Sequence, residues 1–451
     1  MAASSRLLAL LAVIVGLYIA STFELPIVPA VRQNAVAVYS AVRQALNPKP
    51  AKEQSSQAVF PSSDSTHGSE VAGAQEGSQA VFTSSSSARA AYTRHIVAVG
   101  DLHGDYGNAQ KVLEFSGVVD SAGNWTGDVD FFVQTGDIID RGDDTIKLFM
   151  WMESLRVQAA KTGGVVLSHL GNHEVMNQIG DWRYVYPSEI ETFGSVAARQ
   201  KMLSTGRIGR AWAQNYTATS RLPLHPHLGP PNTPFPPPLH FQKDDSEEDE
   251  NSRFYEPNEP LSHSALSFVH GGLSPTFSNL SPFPTKINAL SSSLLAKLQN
   301  RPQPLPHPPH QYPGLPQGTT REEVELYDAN GPFWYRGWAT DNEEKACADV
   351  EKVLARTGTR RMIMGHTPDF TGIVSRCDGK IIIIDTGISH AYGGALSALS
   401  IHYTFTPVDS EEGEHRWIER EVVSALYVDR QETIVDQERE LVGDFRFDEV
   451  L

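Results

Sequence analysis

The sequence predicts an α/β fold in which short buried strands alternate with helices, and three observations predict it. Short apolar runs end at glycine: His95-Ile-Val-Ala-Val-Gly100, Phe131-Phe-Val-Gln-Thr-Gly136 and Gly164-Val-Val-Leu-Ser-His-Leu-Gly171. That is how strands buried on both faces read. Helix-like stretches, Tyr106–Ser116 and Asp144–Lys161, separate them, which gives a βαβ arrangement with largely parallel strands. Polar motifs follow the strands, at the end where open α/β sheets build ligand sites.

The chain begins differently. Arg6 precedes an uncharged run, Leu7 to Phe23, at the lower edge of the ~17–25 residues that cross a bilayer. Residues 1–23 read as a signal anchor, or alternatively as a cleaved signal peptide. The basic N-terminus stays cytoplasmic, so the expectation is a single-pass type II membrane protein of the secretory pathway. Its folded domain is then luminal or extracellular; the alternative is a secreted protein. Sequons at Asn124, Asn215 and Asn279 agree with a glycoprotein. Residues 24–93, rich in Ser, Ala, Gln and Pro, read as a disordered stalk.

The folded domain is expected over 94–430, interrupted by disordered insertions at 222–262 and 300–320. The first is Pro-rich and then acidic over Asp244–Glu250; the second is Pro-rich over Pro302–Pro316. Ala265–His270, Arg361–Gly365 and Lys380–Asp385 read as further core strands, and Ile401–Thr406 and Val422–Val428 as added sheet strands. Residues 431–451 read as an acidic tail that frays. A net charge of −17 gives no global attraction for nucleic acid. Two cysteines, Cys347 and Cys377, exclude a zinc finger or disulfide scaffold; they read equally as one bridge or two free thiols.

Five motifs carry chemistry. In Gly100-Asp101-Leu102-His103-Gly104, Asp101 and His103 are two apart on an extended segment and point the same way. A carboxylate and an imidazole suit manganese, iron or zinc. In Gly136-Asp137-Ile138-Ile139-Asp140-Arg141-Gly142, Asp137 is placed to bridge two ions and Asp140 to orient another side chain. Arg141 offers a planar fork for phosphate oxygens. Gly171-Asn172-His173-Glu174 supplies an amide-oxygen ligand and an adjacent histidine free to donate a proton; Glu174 reads as a first-turn acid. His270-Gly271-Gly272 and Gly365-His366-Thr367-Pro368 each follow an apolar strand. Taken singly each is an ordinary cap, turn or surface histidine. Five such accidents at strand ends are much less plausible than one site.

This ordered set resembles the calcineurin-like metallophosphoesterase superfamily, in its phosphoprotein phosphatase branch. Gly331-Pro-Phe-Trp-Tyr-Arg-Gly337 and Asp385-Thr-Gly-Ile-Ser-His-Ala-Tyr-Gly-Gly394 are similar to segments of the Shewanella-like protein phosphatases. The resemblance implies a sandwich of two central mixed β-sheets flanked by helices and a dinuclear centre of manganese, iron or zinc. Asp101, His103 and Asp137 are then the ligands of the first ion; Asp137, Asn172, His270 and His366 of the second. His173 is the general acid, oriented by Asp140. Arg141 and Arg336 bind the phosphate, and Tyr392 approaches the site.

The expected reaction is phosphomonoester hydrolysis by a metal-bridging hydroxide, on a phosphorylated protein. The alternatives are a phosphatase for nucleotides or other small phosphates, and a membrane-tethered interaction protein on a dead phosphatase fold. No partner beyond the substrate and the membrane is implied.

Overall fold

Strand β1 (Tyr92–Val99) shows why the sheet strands read as continuous apolar runs. Ile96 and Ala98 face one core and Val97 and Val99 the other, all fully buried. The computed structural model describes residues 91–237, 260–408, 415–443 and 445. The predicted N-terminal segment, nearly all of the stalk and the acidic run Asp244–Glu250 lie outside the described residues. Among the described residues no helix is long and apolar enough to cross a membrane.

Two mixed sheets form the architecture, as expected. In the first, β1 pairs parallel with β2 (Phe131–Gln134), which continues through β3 (Val165–His169) to β4 (Tyr216–Thr217). On its other side β1 pairs antiparallel with β10 (Ser397–Val408), followed by β11 (Arg416–Tyr427) and β12 (Gln431–Val442). The second sheet has the order β5 (Thr219–Pro223), β6 (Ala265–Val269), β7 (Arg361–Met364), β9 (Ile381–Ile383), β8 (Val374–Arg376). Side chains of both sheets, among them Ile96, Val133, Phe268, Ile363, Ile382 and Ile401, interdigitate in one core.

Helices pack on the outer faces. They are α1 (Tyr106–Phe115), α2 (Thr145–Lys161), α3 (Asn172–Ile179), α4 (Pro187–Phe193), α5 (Val196–Leu203), α6 (Arg207–Asn215), α7 (Thr285–Asn300), α8 (Arg321–Tyr327), α9 (Gly337–Thr340) and α10 (Glu343–Thr357). Asp105 caps α1 by accepting from Asn108 N at 3.0 Å. Apolar residues Leu148, Met152, Leu155 and Ala159 give α2 its buried stripe.

Charged groups also join the sheets. Arg361 Nε and Nη2 donate to the Glu421 carboxylate on β11, each at 3.0 Å. Arg360 Nη2 and Ser264 Oγ donate to Glu419 Oε1 at 2.7 and 2.8 Å. Cys347 of α10 and Cys377 of the β8–β9 turn form a disulfide, which resolves the two readings of that pair.

Four expectations are corrected. Tyr92 and Thr93, expected in the stalk, belong to β1 and pair with Phe405 and Thr404. The insertion 222–262 is ordered at both ends: Leu222, Leu224, Leu228 and Leu261 are buried, and Phe235 exchanges backbone hydrogen bonds with Phe283 at 2.7 and 2.8 Å. Segment 300–320 is docked, not disordered. Trp182 N donates to His307 O at 2.6 Å, His307 N to Gly180 O at 2.8 Å, and Gln200 Nε2 to Pro304 O at 2.6 Å. The tail 431–451 contributes β12, whose ladder on β11 runs from Gln431 to Val442, with Phe445 buried beyond it. Of the sequons, Asn124 is exposed, whereas Asn279 is buried and donates to Ser278 and Glu325.

Candidate metal centre

Strand register brings the motifs to one line. Val99 is level with Gln134, and Gln134 with Ser168, in the first sheet; Val269 is level with Met364, and Met364 with Ile383, in the second. The residues just after each strand therefore meet at the C-terminal edge of the sandwich. There the backbone is bent hard. His103, Asp137, Asp140, Arg141 and His366 all have φ between 42 and 72°, a left-handed conformation costing roughly 1–2 kcal/mol per residue. Glycine is required beside them, because a Cβ at Gly171 would collide with Asp137 Oδ1 and one at Gly365 with Asp101 Oδ1.

Four donor atoms converge at one position. His270 Nε2 lies 2.8 Å from Asn172 Oδ1, 3.1 Å from His366 Nδ1 and 3.3 Å from Asp137 Oδ2. The other ring nitrogen, His270 Nδ1, is 3.0 Å from Thr135 O and donates its proton there. Nε2 then faces the oxygens of Asn172 and Asp137 and the His366 nitrogen, a donor set that suits a divalent cation between them. His103 is built likewise. Its Nδ1 donates to Ile139 O at 3.0 Å, leaving Nε2 3.7 Å from Asp137 Oδ2 and 4.0 Å from Asp101 Oδ2. Asp137 faces both groups. The buried carboxylate and imidazole donors thus fit two divalent ions sharing Asp137.

Electrostatics couple these groups closely: against its burial, His270 is raised by Asp137. Burial alone would raise the Asp137 carboxyl, but His270, His173 and His103 hold it well below its ordinary value. Burial, then Asp385 and Asp137, push Asp101 well above its ordinary value. Burial brings His103 down to about 3, and burial with Arg336 holds His366 low. Both imidazoles are therefore neutral, the form that ligates.

His173 forms a tight cluster with His103 and Asp137, yet its bonding differs. Its Nδ1 is 2.7 Å from Asp140 Oδ2, and Nε2 is left 3.9 Å from Asp137 Oδ2. Arg141 lies between two rings, its guanidinium carbon 4.2 Å from the Tyr184 centroid and 4.9 Å from that of Tyr392. Its buried Nε has no hydrogen-bond partner among the described residues. Tyr392 also lies 5.4 Å from the His103 ring. Exposed Arg336 donates from Nη1 to His366 O at 2.9 Å and Thr367 Oγ1 at 3.1 Å. Every site residue expected from sequence is thus at this edge.

Other residues were not foreseen in their roles. Glu174 accepts from Gly171 N, Asp137 N, Ile138 N and Ile139 N at 2.7, 2.9, 2.9 and 3.4 Å, holding the bent Asp137 loop. Asn177 Nδ2 donates to both Asp140 oxygens, at 2.9 and 3.0 Å. Fully buried Arg199 donates to Asn177 Oδ1 at 2.6 Å and to Glu189 Oε1 at 3.0 Å. Buried Asp385 sits beside Asp101; burial raises its carboxyl to about 6. Asn177 lies one helical turn after His173, the spacing that puts both on one face. Asp385 opens the Asp385–Gly394 segment already singled out in the sequence, whereas Arg199 carries no such signal.

These features define a buried Asp/His centre suited to divalent metal, at the strand ends of an α/β sandwich. The chain belongs to the calcineurin-like phosphoesterase family, whose description matches residues 94–370, and it is a phosphoric monoester hydrolase. It is 34% identical over 319 residues to an uncharacterized protein of Schizosaccharomyces pombe, covering 70% of this chain and 79% of that one. With Shewanella-like protein phosphatase 2 of Arabidopsis thaliana it shares 28% identity over 321 residues, 67% of this chain and 73% of that one. The fold resembles the cold-active protein-tyrosine phosphatase of a psychrophile Shewanella species, with a TM-score of 0.50 and 22% identity over 76% of this chain and 80% of that one.

Proposed function

We propose that the chain is a protein phosphatase. The observation that carries this reading is the His173–Asp140 pair, set at 2.7 Å beside two ligand groups that share Asp137. Asp101, His103 and Asp137 would hold one ion, and Asp137, Asn172, His270 and His366 the other. Divalent ions bound there, manganese in vitro, supply Lewis acidity toward phosphoryl oxygens and an acidified water. The remaining work belongs to side chains. Arg141, fixed between Tyr184 and Tyr392, and Arg336 at the rim bind and orient the phosphoryl group. Asp140 keeps a proton on His173 Nδ1 and turns Nε2 toward the leaving oxygen, which it protonates as the P–O bond breaks. Tyr392 stays neutral, because burial raises its hydroxyl well above the ordinary value, and so walls the site without adding charge.

Shewanella-like relatives named as protein phosphatases support a protein substrate over nucleotides or other small phosphates. The test is phosphate release by the purified chain with added manganese. Phosphopeptides should turn over with higher kcat/KM than nucleotides and para-nitrophenyl phosphate; a preference for nucleotides overturns the protein-phosphatase reading. No release from any phosphomonoester favours the interaction-protein alternative.

The hydrophobic run Leu7–Phe23 supports a luminal or extracellular site, tethered as a type II protein or released by cleavage. The Cys347–Cys377 bond is in keeping with an oxidising compartment. In a microsome protease-protection assay, residues 94–451 should resist digestion until detergent is added. Digestion in intact vesicles sinks this topology.

A further inference from the structure

A groove of about 430 Å³ is lined in part by Arg336. Its other lining residues include Trp334, Tyr327 and Tyr312, with Arg183 paired to Asp181. Trp334 borders both the ligand set and the groove, since its ring stands edge-on to the ligand-set residue His366 at 5.5 Å and to Tyr327 at 5.6 Å. Trp334 and Arg336 thus line the groove and also touch His366 of the ligand set.

Its charge is arranged along its length. Arg183 is held by Asp181 through Nε to Oδ1 at 2.9 Å and Nη2 to Oδ2 at 2.8 Å, so that end is neutral as a pair. Arg336 gives its Nη1 hydrogen bonds only to neutral acceptors, His366 O and Thr367 Oγ1. A cation therefore marks the metal end, and aromatic faces make up the rest. Trp334 Nε1 is buried with no hydrogen-bond partner among the described residues, a donor aimed at nothing in the chain.

Tyr312 is 43% exposed yet is not on a loose segment. The loop that carries it is pinned through His307 and Pro304, as described above, and by Arg301 Nη2 donating to Ile179 O at 2.6 Å. His307 packs edge-on against the Tyr312 ring at 5.8 Å. A wall held in advance costs little ordering when a ligand arrives.

We propose that this groove is a recognition subsite for an uncharged aromatic side chain flanking the phosphorylated residue of a substrate polypeptide, with Tyr312 as a specificity-determining residue. This rests on the protein-phosphatase reading. The phosphate lies at the Arg336 end, and the neighbouring aromatic side chain stacks among Trp334, Tyr327 and Tyr312. The volume suits one large side chain with its backbone.

The test uses manganese-loaded full chain and two sets of peptides, phosphoserine and phosphotyrosine, each differing only by Phe or Ala at each flanking position. Phe at one position should raise kcat/KM about tenfold, the size of one aromatic packing contact. Tyr312→Ala should abolish that preference, Tyr312→Phe should keep it, and both should hydrolyse para-nitrophenyl phosphate as the parent does. Equal rates for Phe and Ala peptides overturn the proposal. So does a Tyr312→Ala loss that is the same on para-nitrophenyl phosphate. A loss confined to phosphotyrosine peptides, without flanking preference, assigns the groove to the phosphorylated ring instead and overturns it too. If no phosphopeptide is cleaved while para-nitrophenyl phosphate is, the protein-phosphatase reading fails first.

Discussion

His173 and Asp137 are adjacent in space but carry different loads. Asp137 accepts from His173 N at 2.9 Å through Oδ1 while its Oδ2 faces His103, His173 and His270. Removing it dismantles both ligand groups. Removing the His173 imidazole leaves the donor atoms of Asp101, His103, Asn172, His270 and His366 in place. His173→Asn should therefore bind metal in the parent ratio, measured by metal analysis of dialysed protein. Its kcat should fall by about 10²–10⁴-fold for alkyl phosphates and much less for para-nitrophenyl phosphate, whose leaving group needs no proton. An equal fall on both substrates would remove His173 from the role of acid. Behind His173 the support was only partly legible. Asn177 shares its helix face, but Arg199 reaches Asn177 from another helix, α5, and pairs with Glu189, which burial raises to about 7. No local pattern in the sequence reports a contact between helices.

Elements that bury apolar side chains were legible, and elements held by backbone hydrogen bonds were not. β1, β2, β3, β6 and β7 announced themselves as apolar runs because both faces are covered. The 300–320 segment has the composition of a linker, yet its carbonyls and amides meet Trp182, Gln200 and Gly180. Hydropathy is blind to that kind of docking. β12 was hidden differently. Its burial is confined to a few positions, chiefly Val435 and Leu441, so its sequence reads as an acidic tail. Its ladder on β11 is supplemented by Arg420 donating to Asp436 at 2.9 and 2.8 Å. A chain ending at Arg430 should therefore lose stability and expose the edge of β11, a template for association. Thermal denaturation and sedimentation check this: a lower Tm with higher-order species is expected. An unchanged monomer with parent Tm would show β12 to be dispensable.

At the scale of the whole molecule, the centre depends on how the two sheets are held together. Asp101, Asp137 and Asn172 follow strands of the first sheet, and His270 and His366 follow strands of the second. The joint between sheets includes Glu419, which accepts from Arg360, Ser264 and Tyr403 and from Arg439. Burial would raise this carboxyl, but Arg360 and Arg439 outweigh burial and bring it to about 2, against an ordinary 4.5. A carboxyl that holds its proton less tightly when folded stabilises the fold fully above the unfolded value. That contribution is lost as pH falls from about 4.5 toward 2. The shift corresponds to about 3 kcal/mol. Denaturant unfolding of the parent and Glu419→Gln should accordingly differ most near neutral pH, with the variant weaker, and the gap should close through this acid window. A gap that stays constant down to pH 3 would mean that the joint works through packing and not through the Glu419 charge. If the gap closes as expected, acid should also loosen the centre by separating its aspartate half from its histidine half, and metal should be released over the same window.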